Sequence, residues 1–132
     1  MLSLDFTGAE VLGAQGLHRD GLSFAQGVIV DAPVGREVDL TGYLVLPGIV
    51  DVHGDGFERH LAPRRGAMKQ MAEGLVAVEA ELAANGITTA TLAQFVSWEG
   101  GVRSPEFAEQ VFSHLRDVAP QMVTDLRGQL RF

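Results

Sequence analysis

From Pro47 to Phe132 the chain alternates short apolar runs with longer amphipathic ones, and that alternation leaves few folds open. Ile49–His53 is a short, mainly apolar run introduced by Pro47-Gly48, and it reads as a strand buried on both faces of a parallel sheet. Over residues 67–84, Met68, Met71, Leu75, Val78 and Leu82 recur at spacings of three and four, which places them on one helix face. Asn85-Gly86 supplies a helix stop, and Ile87–Ala93 follows as a second strand rich in β-branched residues. Ser104-Pro105 marks a helix start, because serine caps and proline suits the first helical position. Phe107, Val111, Leu115 and Val118 form that helix's inner stripe, Pro120 ends it, and residues 126–132 read as a third strand. A β-α-β-α-β order implies a parallel sheet with helical crossovers.

Residues 1–46 have a different rhythm. Short stretches (Leu2–Phe6, Glu10–Leu12, Leu22–Phe24, Val28–Asp31 and Glu37–Leu40) are separated by turn-like glycines, among them Gly13, Gly16, Gly21 and Gly35. Some alternate apolar and polar residues, as half-buried antiparallel strands do. The expectation is an all-β segment over 1–46 and an α/β segment over 47–132.

Composition narrows function. An apolar share of 46% supports a globular core, and no apolar run approaches the ~20 residues of a membrane span. The N-terminus carries no signal-peptide pattern, and the chain has no cysteine. Cytoplasmic residence is the expectation, with no disulfide and no thiolate metal site. A net charge of −7 argues against nucleic acid or an anionic membrane as partner.

The chemistry concentrates where the first apolar run ends. His53 and Asp55 are two residues apart, and residues i and i+2 of an extended strand share a face. An imidazole and a carboxylate can then converge on a divalent cation that accepts mixed nitrogen and oxygen ligands. Asp51 has the same parity and is a candidate to orient the His53 ring, or a structural residue of the strand. Glu58 follows three residues after Asp55, and Arg59, Arg64, Arg65 and Lys69 make a basic segment. Arginines present planar forks to phosphate oxygens, so this segment reads as a polyphosphate contact or as a solvated loop entering a helix. His60, His114 and His18 show no ligand spacing and read as solvent-facing or turn residues. Trp98 falls near the end of the second strand, where it either faces the site or packs a loop.

The run Leu46-Pro47-Gly48-Ile49-Val50-Asp51-Val52-His53-Gly54-Asp55 resembles the first barrel strand of the amidohydrolase superfamily. With Phe57-Glu58-Arg59-His60-Leu61-Ala62-Pro63-Arg64-Arg65-Gly66 and Asn85-Gly86-Ile87-Thr88-Thr89, the chain looks most like the PhnM branch of phosphonate utilisation. Members of that branch are diphosphatases acting on α-D-ribose 1-methylphosphonate 5-triphosphate. The resemblance implies a small β-sandwich subdomain over 1–46. It also implies about two and a half βα units of a TIM-type barrel over 47–132, an N-terminal fragment of a longer hydrolase. His53 and Asp55 would be metal ligands for one or two divalent ions, zinc or manganese. Arg59, Arg64, Arg65 and Glu58 would contact a small phosphorylated substrate. Further ligands and the catalytic acid/base would come from later strands, so no catalytic residue is assigned within this segment.

Gly54, Gly56 and Ala62 stand where the branch usually has threonine, asparagine and threonine, which loosens the substrate assignment. Two other readings remain: an amidohydrolase cleaving a C–N bond, and a non-catalytic half-barrel. A barrel typically needs ~250 residues. If the chain is complete, its open sheet edges should pair in a homo-oligomer.

Overall fold

A computed structural model describes residues 2–61 and 70–132, and the chain divides into two compact units, Met1–Pro47 and Gly48–Phe132. The first contains β1 (Ser3–Thr7), β2 (Glu10–Gly13), β3 (Gly16–His18), β4 (Leu22–Ala25), β5 (Val28–Val30), β6 (Glu37–Asp39) and β7 (Leu44–Val45). These form a four-stranded sheet in the order β5-β4-β1-β6 and a three-stranded sheet in the order β3-β2-β7. Antiparallel pairing was the expectation. It holds for β1–β4, β4–β5 and β2–β3, but β6 runs parallel to β1 and β7 parallel to β2. Parallel partners lie far apart in sequence, so no turn signal announces them.

Register sorts the side chains of the larger sheet. Leu4 stands opposite Phe24 and Phe6 opposite Leu22, so these four share one face. The rings of Phe6 and Phe24 meet edge-on at 5.2 Å. Asp5 occupies the other face, opposite Ser23, and is buried. Its carboxylate accepts the N–H groups of Val34 at 2.8 Å and Gly35 at 2.6 Å, which ties the β5–β6 connection to β1. A hydrogen bond from Ser23, then those from Val34 and Gly35, hold its pKa below the usual carboxylate value against the opposing effect of burial.

The second unit is built on β8 (Ile49–Gly54), β9 (Ile87–Phe95) and β10 (Asp125–Arg131), with helices α1 (Glu58–Leu61), α2 (Met71–Ala84) and α3 (Pro105–Val118). All three strands are parallel, in the spatial order β8-β9-β10. Helices α2 and α3 cover one face of the sheet. Met71, Leu75 and Val78 of α2 join Val111 and Leu115 of α3 over Ala90, Leu92 and Leu126. Each large aliphatic side chain buried there contributes roughly 1.5–3 kcal/mol. Leu82, Phe107 and Val118 pack at the margin of this core, and Met68 lies outside the described residues.

The helix start at Ser104-Pro105 forms as the sequence predicts, with the Ser104 hydroxyl accepting the Phe107 N–H at 3.1 Å. Helix α1 was not legible in the sequence. It packs on α2 where Gly74 faces it, and a Cβ at Gly74 would lie 2.7 Å from the His60 carbonyl oxygen.

The expected burial of Ile49–His53 on both faces is not observed. Ile49, Val50 and Val52 are 55%, 59% and 73% exposed. Among the described strands β8 has a neighbour only in β9, so it is an edge strand and its apolar side chains face solvent.

The depressed pKa of Asp5 generates a prediction. A carboxylate whose folded pKa lies below its unfolded value of 3.8 stabilises the fold above that value, and the contribution is lost as pH falls through the folded pKa. Asp5→Asn should therefore increase amide exchange in β1 and β4 at pH 7. The difference from the parent should narrow on acidification below the folded pKa.

Candidate functional site

Strands β9 and β10 end level with one another at the Phe95–Arg131 pair, and β8 ends earlier, opposite Leu92. This end of the sheet gathers His53 near the end of β8 with Asp55 just beyond it, Phe95 at the end of β9 with Arg103 in the loop beyond it, and Arg131 at the end of β10. Which face each residue takes follows from pairing. Leu126 is in the core and a Cβ at Gly128 would meet the Phe112 ring of α3, so even-numbered residues of β10 face the helices. Arg127, Gln129 and Arg131 therefore project from the open face. His53 joins them there, since Arg131 Nη1 lies 3.0 Å from His53 Nε2. A guanidinium can only donate, so Nε2 accepts.

Strand β8 departs from simple alternation. Asp51 pairs with Ala90 and Gly54 with Leu92, which leaves Val52 and His53 opposite a single residue of β9. Parity therefore does not place Asp51 beside the His53 ring. The Asp51 carboxylate accepts the main-chain N–H of His53 at 3.0 Å and lines a cleft on the helix side. Gly54 suits this arrangement, because a Cβ there would lie 2.9 Å from Asp51 Oδ2 and 3.3 Å from the Thr91 carbonyl oxygen, so the carboxylate would have to shift. Asp55 follows the strand and is exposed.

Glu58 opens α1 at the same end of the unit. Partial burial raises its pKa, Arg103 opposes that rise, and the negative charge of Asp55 adds to it. Arg103 stacks on the Phe95 ring at 5.5 Å and is ion-paired with Glu99. Its loop is fastened by Gln94, a fully buried residue whose Nε2 donates to the carbonyls of Phe95 at 3.0 Å and Val102 at 2.9 Å. The main-chain N–H of Val96 donates to the Arg131 carbonyl at 2.8 Å, which fixes the backbone at the rim.

The structure does not bring all the sequence candidates together. Arg59 ion-pairs with Glu81 of α2, which also bonds His60 Nε2 at 2.6 Å. Both residues line the helix-side cleft, of ≈ 180 Å³, with Asp51, Phe57 and Leu82. His60 is thus half-buried and partnered, where the sequence suggested a solvent-facing residue. Arg64, Arg65 and Lys69 lie outside the described residues. Trp98 is 94% exposed and packs no loop. His114 bonds the Gln110 carbonyl of its own helix at 2.8 Å. Arg131 and Arg103 were missed, because only strand register and loop packing carry them to the rim.

The donor chemistry of His53 and Asp55 suits a divalent cation, but two groups make only part of a site. Among the described residues no cluster of three or more His, Asp or Glu side chains is placed to hold a metal. No described helix is long and apolar enough to cross a membrane.

Neither a family model nor a curated protein matches this chain. Among solved structures, it is similar to a chain of the formyltransferase/hydrolase complex (FhcABCD) from Methylorubrum extorquens, crystallised with methylofuran. The TM-score is 0.63 at 23% identity, over 98% of this chain and 25% of that one. The likeness is one of fold, and this chain spans about a quarter of its neighbour's length.

Two outcomes are expected at this rim. Gly54→Ala should cost about 1–3 kcal/mol in chemical denaturation by displacing the Asp51 carboxylate. A raised carboxyl pKa penalises the folded state as pH climbs above the unfolded value of 4.5. Glu58→Gln should therefore be more stable than the parent at pH 7, and the two denaturation midpoints should converge below pH 4.5.

Proposed function

We propose that this chain forms the opening part of a metal-dependent hydrolase of the amidohydrolase type, with His53 and Asp55 as ligands from its first barrel strand. The observation that carries the reading is the position of His53, on the open face at the C-terminal end of a parallel strand. Active sites of βα barrels are built at that end. Support also comes from the consecutive order β8-β9-β10 with α2 and α3 on one face. A barrel needs that arrangement, whereas a doubly wound sheet places helices on both faces. The fold likeness to a chain of a formyltransferase/hydrolase complex points the same way.

A divalent ion, zinc or manganese, would supply Lewis acidity and lower the pKa of a bound water. The residues of this chain would hold it in part, and the remaining ligands would come from strands not present in the sequence. The favoured substrate is a small phosphorylated molecule cleaved at a phosphoanhydride, as in the PhnM-type diphosphatases that the sequence resembles. Hydrolysis of a C–N bond is the second reading, kept by the resemblance of the Pro47–Asp55 run to the amidohydrolase superfamily as a whole. A non-catalytic half-barrel that pairs with another copy is favoured by the exposed Ile49, Val50 and Val52 on edge strand β8.

Calorimetric titration of the full chain with Zn²⁺ and with Mn²⁺ tests the proposal. Weak binding is expected, lowered at least tenfold by His53→Asn or Asp55→Asn, with no turnover of phosphoanhydrides by the isolated chain. Binding that both variants leave unchanged would remove the metal assignment.

A further inference from the structure

We propose that Arg131, positioned by His53, is an oxyanion-binding residue at the rim of the parallel sheet. This deepens the hydrolase reading by naming what its substrate must carry: a phosphate or carboxylate group. The first observation concerns charge. In this unit the described arginines Arg59, Arg103, Arg116 and Arg127 are each paired with a carboxylate, respectively Glu81, Glu99, Asp117 and Asp125. Arg131 is the exception. Among the described residues it has no carboxylate partner, and its side-chain contact is with the ring of His53.

The second observation is geometric. Arg131 lies on the open face at the end of β10, in register with Phe95, whose ring carries the guanidinium of Arg103. One N–H of the Arg131 fork goes to His53 Nε2, and the Val96 N–H holds the Arg131 carbonyl. The guanidinium is thus held at both its backbone and its tip, while its remaining N–H groups stay available. A planar fork of this kind matches two oxygens of one phosphate or carboxylate. The opposite polarity lies close by, where Asp55 and Glu58 make an acidic spot.

The arrangement also sets up a competition. The His53 lone pair that receives the Arg131 N–H is the one a metal on Nε2 would take.

Isotope-labelled full chain, titrated with inorganic phosphate and separately with acetate at constant ionic strength, tests the proposal by NMR. The arginine Nε–Hε and imidazole resonances report the site. Saturable shifts of Arg131 and His53 are expected in the phosphate arm, the acetate arm, or both, and the responding arm names the oxyanion. Arg131→Gln should weaken that binding at least fivefold. Arg127→Gln, on the same face but with a carboxylate partner in the parent, should leave it unchanged, and Arg131→Lys should retain part of it. The proposal is overturned if Arg131→Gln titrates like the parent, or if chloride reproduces the shifts. A parallel Zn²⁺ titration separates this claim from the hydrolase reading. Loss of zinc binding at His53 with phosphate binding intact would remove the metal and leave the anion site, and the converse would remove only the anion site.

Discussion

The second unit depends on β9. It is the middle strand of the described sheet, hydrogen-bonded to β8 on one side and β10 on the other, in one direction throughout. Ala90 and Leu92 are buried beneath α2 and α3, so one pleat of this strand anchors both helices. The same register that seats Leu126 against the core sends Arg127 and Arg131 to the open face. Core packing and site geometry are therefore set by one pairing, and a slip of one residue would exchange the two faces.

Two consequences separate chemistry from support in this unit. On the helix side, the bulge in β8 turns Asp51 toward a cleft where Arg59, His60 and Glu81 form a closed polar network. Those charges satisfy one another. On the open side, His53 and Arg131 meet with no carboxylate between them. That asymmetry is why the rim, and not the cleft, carries the functional reading, although the cleft is the more enclosed of the two.

Much of the architecture was legible from local signals. Ser104-Pro105 marked the start of α3, Asn85-Gly86 the end of α2, and the three- and four-residue spacings of Leu75, Val78, Val111 and Leu115 marked the buried stripes. The position of His53 at a strand end was legible for the same reason. Other features were set by partners distant in sequence. Parallel pairing of β6 with β1 leaves no trace in either strand alone. The exposure of Val50 and Val52 reflects the position of β8 at the edge of the described sheet, which the apolar run itself cannot reveal. Parity failed at Asp51 because one extra residue opposite β9 changes the face, and Gly54 alone does not tell a bulge from an ordinary strand end. Arg131 was invisible as a site residue because it reaches His53 only across the width of β9, 78 positions along the chain. Arg59 looked like part of a basic patch, but a glutamate one helix away neutralises it.

The central claim is that three strands run in one direction and deliver His53 and Arg131 to a shared rim. Long-range nuclear Overhauser contacts across β9 in the full chain test it most directly. The account predicts amide and Cα proton contacts joining β9 to both neighbours in parallel register, Asp51 beside Ala90 and Arg127 beside Thr91. Contacts in the antiparallel sense, or β10 paired with a strand other than β9, would contradict it.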